Sequence, residues 1–135
     1  MNSITLYPNE VSSMEVEGIN FKDKTFIKML IDGIPMNEMS SFEDGAIYWP
    51  ELKCSAEKSG KYLLLTCFCG VAEDAGWEEI QVAHSGNNIE WVFERNGMQK
   101  YSFDKEEYLK EILACEKMLN LSQYPLAIEY AVFPS

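Results

Sequence analysis

The alternation between Ile80 and Phe103 constrains the fold more than any other stretch. Ile80, Val82 and His84 alternate with Gln81 and Ala83, and Ile89, Trp91 and Phe93 alternate with Glu90, Val92 and Glu94. A period of two marks strands with one buried face. A two-residue turn at Gly86-Asn87, suited to glycine's freedom at positive φ, sets His84 opposite Ile89, Val82 opposite Trp91 and Ile80 opposite Phe93. Every large side chain then lands on one face. At the next connection, a two-residue Asn96-Gly97 turn would set Trp91 and Phe93 against Ser102 and Lys100. A three-residue loop, Arg95 to Gly97, instead sets Trp91 against Tyr101 and Ile89 against Phe103. A one-residue slip exchanges the faces, so the apolar pattern selects the three-residue loop with a bulge at Gly97.

A helix is predicted over about 104–119. Asp104 is the N-cap, Glu107 stands three residues later as in a capping box, and Glu106 and Glu107 suit the N-terminal dipole. Tyr108, Leu109, Ile112, Leu113, Cys115 and Leu119 form its apolar stripe. "LAIEYAVF", bounded by Pro125 and Pro134, reads as a final strand over about 126–133. "KYLLLTCFC" is apolar on both faces, as a central covered strand should be. In the first third, "ITLY" stops at Pro8 and "MEVEGINF" alternates around Gly18. "TFIKMLIDGIPM" reads as a strand, an Asp32-Gly33 turn and an edge-like continuation. "MNEMSSFEDG" is a helical turn or a loop, and "GAIYWPELKCSAEKSG" is irregular, broken by Pro50. No repeat or linker divides the chain, so residues 1–135 read as a single domain. The class is α+β: a mainly antiparallel sheet, with hairpins around residues 80–103, packed on one long helix.

The chain carries 22 acids against 11 bases, a formal net charge of −11, with Arg95 its one arginine. That field repels phosphate backbones, so nucleic acid is not expected as a partner. It serves solubility, and it also attracts a basic protein or a cation. The opening "MNSITLYPNE" has no basic segment leading into an apolar run, and no stretch approaches the ~20 apolar residues of a bilayer span. A cytoplasmic location is expected, with no membrane association, and there Cys54, Cys67, Cys69 and Cys115 stay reduced.

The chemistry-bearing residues gather in "LLLTCFCGVAEDAGWEE". Cys67 and Cys69, at i and i+2 of a strand, would point to one face as half of a tetrahedral zinc site, with Cys54 or His84 to complete it. No second Cys-x-x-Cys knuckle is present, and small reduced cysteines also pack in cores. Glu73, Asp74, Glu78 and Glu79 surround Trp77 without the spacing of a calcium loop. An aromatic ringed by acids is the pattern of a hot spot for a basic partner, or the indole is tucked into the core as a lid. His84, ending a strand opposite Ile89, suits a satisfied, partly buried imidazole. No nucleophile elbow, phosphate loop, zinc-protease or dinucleotide motif is present, so no catalytic residue and no cofactor is expected.

The run Leu64-Leu65-Thr66-Cys67-Phe68-Cys69-Gly70, with Val82, Trp91, Phe103, Asp104, Tyr108, Leu109 and the earlier Leu30-Ile31-Asp32-Gly33, resembles a group of small uncharacterised bacterial proteins. These share an LLTC-x-CG strand end, a V…V-x-W hairpin and a helix opening with Phe-Asp, and the likeness spans roughly residues 26–113. It implies no activity. Where such proteins often carry a further cysteine, this chain has Glu73, Asp74 and Ala75, so a metal or redox site built on that cysteine would be lost here.

The expected function is therefore a non-enzymatic acidic protein-binding module, of the immunity or inhibitor kind, that neutralises a basic toxin or nuclease domain. Glu73, Asp74, Glu78 and Glu79 would steer association, with Trp77 as the anchor. The alternatives are a metal-binding or enzymatic domain using Cys67, Cys69 and His84, and a structural subunit of an oligomer.

Overall fold

The computed structural model describes residues 1–135 and has antiparallel sheets and two α-helices, an α+β fold. The predicted meander is present as β7 (Ile80–Ser85), β8 (Asn88–Glu94) and β9 (Met98–Asp104). His84 pairs with Ile89 and Val82 with Trp91. Trp91 pairs with Tyr101 and Ile89 with Phe103, the register of the three-residue loop. Gly86 has φ +58°, as the first residue of a type II′ turn requires, and Asn96 and Gly97 have φ +56° and +101°. A short strand, β5 (Gly60–Tyr62), adds to β7 and completes the order β5-β7-β8-β9.

The first third forms a hairpin longer than the sequence suggests. β1 (Ile4–Val16) runs through Pro8 and does not stop there. It pairs with β2 (Ile19–Ile31), and β3 (Ile34–Pro35) adds at the far end. Pro8 is tolerated because β1 is an edge and backbone donors alternate sides along a strand. Ile4 and Leu6 turn their N–H groups outward, where the Glu107 and Glu111 carboxylates accept them, each at 2.9 Å. Pro8 is next in that row and has no N–H to satisfy.

"KYLLLTCFC" is not one strand. It splits between β5 and β6 (Leu65–Thr66), and β6 pairs with β4 (Ala46–Ile47) in a separate two-stranded sheet. Leu63, Leu64 and Leu65 are fully enclosed where the chain crosses between the sheets, so the segment is covered on both sides but is not a single straight strand. "WPELKCS" is also regular: α1 spans Trp49–Ser55, because Pro50 lies in the first turn, where a missing N–H costs nothing. "MNEMSSF" forms two short 3-10 turns.

α2 spans Lys105–Asn120, with the Asp104 carboxylate accepting from the Glu107 N–H at 3.0 Å. The Glu107 carboxylate does not return to the cap, since it is committed to Ile4. Tyr108, Ile112 and Cys115 are buried against the sheets, but Leu113 is exposed, one position round from the buried stripe. The predicted final strand is absent. Residues 126–133 cross the surface as a strap that bridges Thr25 at Leu126 and Val71 at Val132. Those anchors belong to different elements, so no continuous edge exists for a strand to follow. One connected cluster of 29 buried residues runs through all three sheets and both helices.

Candidate functional site

Trp77 is 2% exposed, which overturns its reading as a surface anchor and leaves the core-lid alternative. The indole packs near Phe93, ring centroids 6.3 Å apart. The backbone at Gly45 passes so close that a Cβ there would lie 2.6 Å from Leu65 and 2.7 Å from the indole. Over the ring stands Arg95, its guanidinium carbon 3.9 Å from the ring centroid, while Nη2 donates to the Glu43 carbonyl at 2.6 Å. The chain's one arginine therefore covers its candidate hot spot.

The acids around Trp77 remain at the surface. Glu73, in the 3-10 turn Ala72–Ala75, accepts from the Ser135 N–H at 2.8 Å and the Ser135 hydroxyl at 3.0 Å. These two bonds hold its carboxyl below the ordinary range. Asp74 accepts from the Cys69 thiol at 3.2 Å. Glu78 and Glu79 are exposed.

Cys67 and Cys69 lie in a turn, not on one face of a strand: the Gly70 N–H closes on the Cys67 carbonyl at 2.9 Å. Cys67 is buried, its thiol 3.8 Å from a Glu17 carboxylate oxygen, and Cys69 is exposed. Partial desolvation, then the hydrogen bonds with Cys67 and Asp74, raises the Cys69 thiol to about 11. Cys115 is enclosed under α2, and burial pushes it up to about 12. Both are protonated at neutral pH and weak as nucleophiles.

His84 sits elsewhere. Its Nε2 is 2.8 Å from the Ser55 carbonyl oxygen, so that nitrogen carries the proton, and its backbone N–H donates to the Ser59 hydroxyl. The imidazole is partly buried and satisfied, as expected. It meets Ser55 through the carbonyl and not through Oγ, which is 2.6 Å from the buried Tyr108 hydroxyl. No serine–histidine nucleophile is built. No group of three or more histidine, cysteine or acidic side chains converges to hold a metal ion, so Cys67, Cys69 and His84 are not brought together.

The feature that sequence reading missed is a second acidic surface. Glu17, Glu38, Glu43 and Asp44 line a trench of about 520 Å³ whose apolar walls include Met39, Phe42 and Phe68. Its acids come from the tip of the long hairpin and from the two turns after β3, and only the fold makes them neighbours. Ion pairs are scarce: Lys53–Glu116 at 3.1 Å and Lys100–Glu90 at 3.4 Å are the two present, against 22 acids in the chain.

Fold and site together define an α+β protein with an acidic loop at residues 73–79, a separate acidic trench, and no cluster of three or more histidine, cysteine or acidic side chains to hold a metal ion. No helix is long and apolar enough to cross a membrane. In comparisons with known proteins, no family model, no curated protein and no solved structure matches the chain.

Proposed function

We propose that this protein is a non-enzymatic binding module for a basic protein, acting in the cytoplasm as an immunity- or inhibitor-type protein that neutralises a basic toxin or nuclease domain. One observation carries the reading: two carboxylates among 22 acids are engaged in ion pairs, so the acidic field is left for an external partner. Unpaired surface charge steers encounter and raises association rates, most strongly at low salt. Glu78 and Glu79 serve this directly, and Asp74 adds to it. Glu73 contributes charge while fastening Ser135. Trp77 has no contact role, and its place as anchor passes to the apolar walls of the trench.

The test is capture from lysate of the source organism at low salt, followed by kinetics on the captured protein. A single basic protein released by high salt is expected. With Glu73, Asp74, Glu78 and Glu79 neutralised together, its association rate should fall and lose its salt dependence. An unchanged rate would sink the steering role.

A structural subunit is the second reading. It rests on the strap, where Tyr130 is 85% and Val132 60% exposed. A concentration-dependent dimer in sedimentation, abolished by Tyr130→Ser with Val132→Ser, would favour it.

A further inference from the structure

A cleft of about 300 Å³ lies between β2, β4 and the strap, walled by Met36, Ile47, Phe68, Leu126 and Ile128. Backbone groups decide what it can hold. Along β2 the even-numbered residues bond to β1, as the Asp32 N–H to the Ser3 carbonyl requires, so Thr25, Ile27 and Met29 face the other way. At Thr25 that side is used: its N–H donates to the Pro125 carbonyl and its carbonyl accepts from the Ala127 N–H, each at 2.8 Å. β3 takes the edge again only at Leu30 and Ile31. Between them, the Ile27 N–H and carbonyl have no partner in the chain, although Ile27 is buried. Across the cleft, the strap makes no backbone hydrogen bond between the Ala127 N–H and the Val132 N–H, and Ile128 is buried too. Buried backbone polar groups are almost always paired, so the free Ile27 edge, facing an apolar cleft, is a place for the main chain of an extended segment to pair.

The cleft adjoins the acidic trench, since Asn37, Glu38, Gly45 and Phe68 line both. We infer that the adjoining cleft and trench take an extended peptide segment of the partner, whose main chain pairs with β2 at Ile27, whose apolar side chains fill the cleft, and whose lysines or arginines lie in the trench against Glu17, Glu38, Glu43 and Asp44. This inference rests on the proposed protein-binding role and adds the chemistry of the bound segment.

The probe is a fluorescein-tagged, capped peptide of alternating valine and lysine, with the same peptide N-methylated throughout as its control. The peptide should bind, more weakly as salt rises, and shift the Ile27 amide resonance. Ala127→Trp, which fills the cleft, should weaken binding at least tenfold. Glu38→Gln with Glu43→Gln should weaken it several-fold and flatten the salt dependence. The N-methylated peptide, unable to pair, should not bind. Equal binding by the N-methylated peptide would overturn the inference, as would equal binding to folded Ala127→Trp protein. So would an Ile27 amide already slow to exchange in the free protein, since the strap itself would then occupy the edge. Failure of the peptide alongside capture of an acid-dependent basic partner would remove the groove and leave the functional reading standing. Peptide binding alongside a captured partner indifferent to the acids would do the reverse.

Discussion

Arg95 and Trp77 come from different loops, and their stacking separates a packing role from a recognition role. Trp77→Ala should destabilise the fold by about 3–5 kcal/mol, the range for deleting a large buried aromatic. Arg95→Lys keeps the charge but loses the planar stack and the bond to the Glu43 carbonyl, so about 1–2 kcal/mol is expected. Urea unfolding checks both, and a stable Trp77→Ala protein that fails to bind its partner would reinstate the surface anchor. Glu73 supplies a pH test. Its carboxyl is depressed by the Ser135 N–H and hydroxyl, so that contact is complete above the pKa of an unfolded glutamate and is lost as pH falls through the lower, folded value. The Ser135 amide resonance should therefore titrate with a midpoint below that of an ordinary glutamate. Neither the burial of Trp77 nor the Glu73 tether is legible in "EDAGWEE", because both depend on residues outside it.

Elements defined by their own periodicity were legible, and those defined by distant partners were not. The meander 80–103 and its two registers follow from alternation and turn chemistry, which are local. Along β1 the outward donors of Ile4 and Leu6 are accepted by Glu107 and Glu111, about a hundred positions later, and Pro8, next in that row, needs no acceptor, so the strand runs on through it. "LAIEYAVF" has the composition of a strand, but its anchors at Thr25 and Val71 belong to separate elements. The edge bonds are testable. Glu107→Ala or Glu111→Ala should each cost about 1–3 kcal/mol, since a buried N–H loses a charged acceptor. Glutamine at either site keeps an accepting oxygen and should recover most of the loss in urea titrations. The double alanine variant should also self-associate in sedimentation, because an uncovered strand edge is a template for pairing.

For the whole molecule, one connected core predicts one unfolding event despite three sheets. Far-UV circular dichroism and tryptophan fluorescence should give coincident urea transitions, and an earlier circular dichroism phase would mean that the long hairpin melts separately. Charge was legible at this scale from composition, but its location was not. The loop at 73–79 announces itself as a run of acids, whereas Glu17, Glu38, Glu43 and Asp44 become a trench only when the hairpin tip folds over the turns that follow β3.

The bonds from Ile4 and Leu6 to α2 also set a schedule for synthesis. Leu6 and Glu111 are separated by 105 positions. At ordinary translation rates of roughly 5–20 residues per second, the first strand waits about 5–20 s before the helix that covers it has even been made. A two-stranded hairpin is at best marginally stable alone, so through that interval the strand-forming residues of β1 and β2 stay largely unpaired. Ribosomes carrying unfinished copies of this message are thus exposed to pairing between neighbouring nascent chains, and a chaperone that shields strand edges during elongation would act on this protein before it acted on the finished fold.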